Sequence, residues 1–212
     1  QAVRVLEQAA EFREIGAGIQ MPPNAFKAFA LLGVVEAMKK VAAYPDDLMF
    51  GDMLTGKIVY RAPIDKAFIE RFGYPYALLH RGDILERLVA ACRASDLVTL
   101  TSGERVTRFE DTGSKVIVET ASGQTIEGCG LVCADGLWST ARATLVDDGM
   151  PRTDGYVLCR GVVPVNDIPE ELYSKTVTMW GGPGLDFFHY PLRRHEIFNI
   201  GASYYDPDIR PG

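Results

Sequence analysis

The stretch from Gly130 to Arg142 constrains the fold most. Gly130-Leu131-Val132-Cys133-Ala134 is short and almost wholly apolar, then Asp135-Gly136 follows, then Leu137-Trp138-Ser139-Thr140-Ala141-Arg142. Such a run suits a strand buried on both faces of a parallel sheet. The Asp-Gly pair suits a tight turn, and Leu137 to about Leu145 a helix. Strand, turn and helix start together bring backbone amides to one spot, a geometry that receives a pyrophosphate or a sugar-like chain. Asp135 offers an acceptor to ligand hydroxyls, and Ser139 and Arg142, three residues apart, share a helix face. An ordinary Asp-Gly turn with no ligand has the same spacing. The expected class is α/β, in the mixed α+β sense.

The rest of the chain is read from its punctuation. Val3 to Glu7 is a first strand, and a loop carries Gly16-Ala17-Gly18. Pro22-Pro23-Asn24 opens a helix running to Leu32, which Gly33 stops. Val34, Val35, Met38 and Val41 suit a second short helix. Leu48–Phe50 and Lys57–Tyr60 are strands joined through Leu54-Thr55-Gly56, and Tyr76–His80 is another. Asp83 is placed to cap a helix reaching about Ala94. Strands follow near 97–101, 105–110, 115–120 and 125–126, with turns at Asp111-Thr112-Gly113 and Ala121-Ser122-Gly123 marking a meander. Beyond Gly155 the pattern turns to longer β segments at 156–165, 176–180, 186–190 and 196–203. The expected division is a nucleotide-binding part over 1–150, with 45–75 contributing to the other side, and a β-rich part over 151–212. The opening at Gln1 and the loop-like Asp206 to Gly212 suggest a piece of a longer protein.

Composition narrows the function. Twenty-two Lys and Arg against 28 Asp and Glu give a net charge of −6, which argues against a nucleic-acid binder. The longest apolar stretch, Ala28 to Val35, falls far short of the ~20 residues that cross a bilayer as a helix. Four cysteines are too few for a disulfide scaffold and favour a reducing, cytoplasmic setting. Their spacing and the scattered His80, His189 and His195 predict no metal site.

Several residues stand out, each with an ordinary alternative. Glu7 ends a strand, where dinucleotide-binding folds place an acid for the ribose hydroxyls, though acids also end strands by chance. The Gly-rich phosphate loop belongs about 20 residues before such an acid, and only six residues precede Glu7. Gly16-Ala17-Gly18 permits close backbone approach to a ligand or simply to another segment. Arg81, between strand and helix, reaches a phosphate or faces water. Arg160 lies in an apolar strand and is either paired or solvated. His189 and Tyr190 are adjacent in a strand, so only one of them faces a given pocket.

Taken together these pieces resemble the FAD-dependent aromatic-ring monooxygenases of the para-hydroxybenzoate hydroxylase fold, on the branch of the 3-hydroxybenzoate and salicylate hydroxylases. The resemblance rests on Leu6-Glu7-Gln8, Glu14 to Gln20, Pro23-Asn24-Ala25, His80-Arg81-Gly82-Asp83, Ala134-Asp135-Gly136 with Ser139 and Arg142, Arg160-Gly161, and His189-Tyr190-Pro191-Leu192-Arg193, in family order. It implies an incomplete FAD-binding Rossmann-like domain, lacking its phosphate-loop strand and helix, with an incomplete β-rich substrate domain. By the resemblance, Glu7 holds the adenosine ribose, and Ala17, Gly18 and Arg81 contact the cofactor further along. Val106 lies by the adenine through its backbone. Asp135 and Gly136 serve FAD and the reducing NADH or NADPH, and Arg160 and Tyr190 line the substrate pocket as the catalytic pair. The implied reaction is hydroxylation of a phenolic or hydroxylated aromatic acid with O2 through a flavin hydroperoxide, in aromatic catabolism; a homodimer is compatible with it. Two departures touch the substrate and the fingerprint: Asp186-Phe187 replaces a stretch that often carries His, and Cys133 stands where Gly is usual. A non-catalytic flavoprotein fragment or partner-dependent subunit, and an FAD oxidoreductase or epoxidase acting on a non-aromatic substrate, are the alternatives.

Overall fold

The structure is a computed structural model that describes residues 1–14 and 16–210; Ile15 of the Glu14–Gln20 motif and Pro211-Gly212 of the last segment lie outside the described residues. In chain order its first elements are β1 (Val3–Glu7), β2 (Gly18–Met21), α1 (Pro23–Leu31), α2 (Val35–Lys39), β3 (Asp47–Asp52) and β4 (Ile58–Pro63). Next come α3 (Lys66–Phe72), β5 (Ala77–His80), α4 (Arg81–Arg93), β6 (Val98–Ser102), β7 (Val106–Asp111), β8 (Val116–Thr120) and β9 (Thr125–Gly128). The last are α5 (Thr140–Leu145), β10 (Tyr156–Pro164), β11 (Val177–Gly182), β12 (Leu185–Leu192) and β13 (Ile197–Tyr205). This is the mixed α/β class that the sequence implies.

The chain forms two compact units. Of the described residues, one unit holds 1–13, 92–154 and Arg210; the other holds 14, 16–91 and 155–209. A cut near 150 therefore corresponds to one crossing among several, because most of residues 14–91 pack with the β-rich segment that follows Gly155.

In the first unit β1 and β6 run parallel, with Glu7 opposite Ser102. The strands β7, β8 and β9 form the antiparallel meander. A register shift between Val106 and Arg108 makes a bulge at the start of β7. The expected buried strand at Gly130–Ala134 is absent: the segment is irregular, and Val132 is 92% exposed. An apolar run records a tendency to be covered but does not name a partner, and no described strand lies alongside this one. The helix after it also starts later than expected. Gly136 takes a left-handed backbone (φ 77°), and Ser139 caps α5 by accepting from Arg142 N, so Leu137 and Trp138 stay outside the helix.

In the second unit the sheet order is β10-β13-β12-β11-β3-β4, antiparallel except for the β11–β3 pair. A two-stranded ribbon, β2 with β5, lies between this sheet and helices α1 and α2. The alternation of β5 explains the layering. Ala77 and Leu79 pack with Phe26, Phe29 and Met38 of the helices. Leu78 packs with Val177, Tyr190 and Leu192 of the sheet. Helix α1 begins where Pro23 occupies its first turn and ends before Gly33 at φ 72°. Helix α3 is an element beyond the sequence expectations, with ordinary signals: Asp65 accepts from Phe68 N at its start, and Gly73 closes it at φ 76°. Asp83 is not the cap of α4, which begins two residues earlier at Arg81. Its carboxylate is buried and points elsewhere, as described next.

Candidate active-site face

The register of the sheet arranges the second unit's candidate site side chains in rows. On one face, Val162, Asn199 and Tyr190 form a row across β10, β13 and β12; Arg160, Gly201 and Phe188 form the next; Leu158, Ser203 and Asp186 the third. Arg160 and Tyr190 therefore share a face, one row apart. His189, one residue from Tyr190, lies on the other face beside Phe187 and Phe198, as the period of two requires. Gly201 leaves room for a ring: a Cβ there would stand 2.2 Å from Phe188 Cζ. Phe188 stacks on Tyr190, with ring centroids 6.2 Å apart and planes at 15°.

Tyr190 is 3% exposed. Burial pushes its phenol up to about 12, Tyr76 adds to the rise, and the nearby charge of Arg160 opposes it. The phenol is thus protonated throughout the physiological range, a hydrogen-bond donor rather than a standing base. Arg160 itself is exposed and lies outside any described ion pair. Tyr76 donates from its hydroxyl to Gln20 Oε1 at 2.5 Å.

Ala17 and Gly18, where the chain enters β2, lie at the edge of the same face. Gly18 N–H donates to Asn199 Oδ1 at 2.8 Å. Added Cβ atoms at Gly16 and Gly18 would collide with His80 (1.8 Å) and Tyr190 (2.5 Å). Close approach is thus a requirement at both glycines. Arg81 N–H donates to Ala17 O at 3.1 Å, and its guanidinium pairs with Glu14 at 2.9 Å while staying 39% exposed. A half-exposed cation at the first turn of a 13-residue helix suits a phosphate, with Glu14 as the competitor. Behind it, Arg193 grips Asp83 with two hydrogen bonds, 3.0 and 2.9 Å. His80 is buried, its Nδ1 making no hydrogen bond and lying 3.9 Å from Asp83 Oδ1. Burial first, then Arg193, pulls its pKa down, so it is neutral at pH 7.

The first unit carries the other expected residues. Glu7 sits at the carboxyl end of the parallel pair and accepts from Ala9 N–H at 2.8 Å, leaving its other oxygen outside any described bond. Val106 lies at the bulge of β7. Asp135 is engaged locally: Ser139 Oγ donates to it at 2.6 Å and Ala141 N–H at 3.1 Å. These bonds, the Ser139 hydroxyl foremost, hold its carboxyl below the usual range. Gly136 supplies the left-handed turn that makes this closure. Arg142 does not share its guanidinium with Ser139; it pairs with Asp148.

Asn199 and Phe188 lie outside the residues that the sequence singles out, and Asp83, expected as a cap, pairs with Arg193 instead. The available signal for Asn199 was a carboxamide within the apolar Ile197-Phe198-Asn199-Ile200. An apolar concavity of about 530 Å3, lined by Met53, Gly56, Trp180, Leu185, Phe187 and Ala202, opens on the face away from Tyr190. It holds no ionisable side chain, so acid–base chemistry does not reside there. Among the described residues no group of three or more His, Cys, Asp or Glu side chains is placed to hold a metal ion, and no helix is long and apolar enough to cross a membrane.

No family model matches the chain. It is 40% identical over 196 residues to a 3-hydroxybenzoate 6-hydroxylase of Aquipseudomonas alcaligenes, covering 92% of this chain and 50% of that protein. It is 31% identical over 166 residues to a 6-hydroxynicotinate 3-monooxygenase of Pseudomonas fluorescens, covering 78% and 42%. Among solved structures, a variant of HpxO from Klebsiella pneumoniae complexed with FAD superposes with a TM-score of 0.80 at 25% identity, over 98% of this chain and 52% of that one. The chain spans about half the length of the curated relatives it matches. Over nearly its whole length the chain is therefore a homologue of the 3-hydroxybenzoate 6-hydroxylases, matched along about half of theirs.

Proposed function

We propose that the protein to which this chain belongs is an FAD-dependent monooxygenase that hydroxylates a phenolic or hydroxylated aromatic acid, with NADH or NADPH and O2 as co-substrates. The observation that carries this reading is the shared sheet face of Arg160 and Tyr190, an exposed guanidinium one row from a buried phenol. Such a pair matches an aromatic acid: a fork of N–H donors for a carboxylate or phenolate, and a neutral O–H for the ring oxygen. FAD, when bound, supplies the reduction of O2 and the transfer of one oxygen to the ring.

The donor set fits that cofactor. Glu7, an acid at the carboxyl end of parallel strands, would receive the adenosine ribose hydroxyls. The backbone at Val106 would border the adenine. Arg81 and the backbone of Ala17 would meet the cofactor further along, with Gly18, whose N–H is given to Asn199, allowing close approach there. Asp135 already accepts from Ser139 and Ala141, so its part is to shape the Gly136 turn, whose backbone would face the cofactor and the nicotinamide nucleotide. At the substrate, Arg160 would hold the anionic group and favour the ionised ring, the better nucleophile. Tyr190, protonated at neutral pH, would donate to the ring oxygen and relay its proton, not abstract one outright.

The test is a panel of hydroxybenzoates, hydroxynicotinates and non-aromatic alkenes offered to the intact gene product. Substrate-stimulated NAD(P)H oxidation with a hydroxylated aromatic product is expected. Oxidation of an alkene alone, or no bound flavin in the purified protein, would overturn the reading.

A further inference from the structure

One buried polar side chain on the Tyr190 face has no part in the chemistry above. Asn199 is 0% exposed and stands directly opposite Tyr190 in the β12–β13 ladder. Its Oδ1 accepts from Gly18 N–H at 2.8 Å, across 181 residues of sequence. That bond sets the carboxamide's orientation, since only its oxygen can accept. Nδ2 then remains as a buried donor without a partner. Buried donors are seldom left so, and one that persists marks a position held for another reason. The second observation concerns Gly18 itself. A Cβ there would lie 2.5 Å from Tyr190 Cε2, 2.8 Å from the phenol oxygen and 3.0 Å from Asn199 Cγ. Phenol and carboxamide thus flank the same bare backbone atom.

We propose that Asn199 is a positioning residue for Tyr190: it clamps the Gly18 backbone onto the edge of the phenol, which fixes the ring's rotamer and keeps water from that side. The inference rests on the reading of Tyr190 as the donor to the substrate. Phe188 stacks on one side of the ring, and the Gly18 backbone bounds another edge, so the O–H keeps one direction. Releasing the clamp lets the first residue of β2 lift away, water reach the phenol and the ring turn. Binding through Arg160, one row away, is untouched.

The test uses the intact gene product with Asn199→Ala, Asn199→Ser and Gly18→Ala. Three readouts are taken: hydrogen exchange of the Gly18 amide, the Tyr190 tyrosinate absorbance titration assigned by subtraction of Tyr190→Phe, and steady-state hydroxylation. For Asn199→Ala, exchange at Gly18 is expected to rise about tenfold or more, a loosening worth one decade of equilibrium constant. The Tyr190 titration should fall by about one unit as water enters, and kcat should drop about tenfold with KM within about twofold. Gly18→Ala displaces the same contact from the other side, so the double variant should be no worse than the more severe single one. Should Asn199→Ala fail to fold, Asn199→Ser and Gly18→Ala carry the same readouts. Unchanged exchange at Gly18 with an unchanged Tyr190 titration in a folded variant overturns the clamp. Altered exchange and titration in a protein that hydroxylates nothing would support the clamp and overturn only the proposed activity.

Discussion

Deleting the Arg193 guanidinium should destabilise the second unit by an amount that its backbone modifies. Arg193 closes a bidentate grip on Asp83, whose side chain is only 11% exposed. It also sits at φ 47°, first of three consecutive residues in the left-handed region, followed by Arg194 at 56° and His195 at 74°. Each such residue costs roughly 1–2 kcal/mol unless it is glycine. The turn is held from both ends, by Asp83 on Arg193 and by the 3.0 Å contact of Tyr173 Oη with His195 Nδ1. Two charge-assisted hydrogen bonds to a buried carboxylate are worth up to about 3 kcal/mol each. Arg193 is 43% exposed, so water compensates part of that, and a net loss of about 2 kcal/mol is expected for Arg193→Ala. Arg193→Gly loses the same bonds but relaxes the backbone, and should recover about 1 kcal/mol of that loss. Urea unfolding followed by Trp180 fluorescence in a Trp138→Phe background isolates this unit. With a slope of about 2 kcal/mol/M, the midpoint should fall by about 1 M for Ala and about 0.5 M for Gly. An Ala variant as stable as the parent, or a Gly variant less stable than Ala, would refute the account.

Four further outcomes are expected. His80, His189 and His195 all have pKa values pulled down, with burial the leading cause in each; the unfolded chain then binds protons near pH 6.5 that the folded one refuses. Stability is fully present above about pH 6.5 and declines as pH falls below it, and His189→Phe should flatten the decline between pH 7 and 5 in urea midpoints. Glu14→Gln frees Arg81 of its 2.9 Å partner and should tighten FAD binding by flavin fluorescence titration; weaker binding would remove Arg81 from the cofactor. In the intact gene product, Tyr190→Phe should slow hydroxylation and release more hydrogen peroxide per NAD(P)H, whereas Arg160→Ala should raise KM and lower turnover; normal coupling or unchanged kinetics respectively would unseat each residue.

Local chemistry in the chain was sufficient for much of the fold. Prolines and Gly33 bound α1, the Gly-containing turns delimit the meander, and the alternation through Phe187-Phe188-His189-Tyr190 decides which residues can share a face, because these rules act within a turn or a strand. The expectation that Arg160 and Tyr190 meet the substrate comes from resemblance alone; that they share a face comes from the register of three strands. Tertiary structure alone decided the rest. Gly130–Ala134 reads as a strand, but strands are made by partners, and no described strand supplies one. Asp83 reads as a cap because the preference of Asp for helix starts is local, yet its carboxylate binds Arg193, 110 residues on. Asn199 reaches Gly18 across 181 residues. No spacing rule extends so far, since contacts between distant segments are chosen by how whole layers pack, and only the folded chain makes that choice.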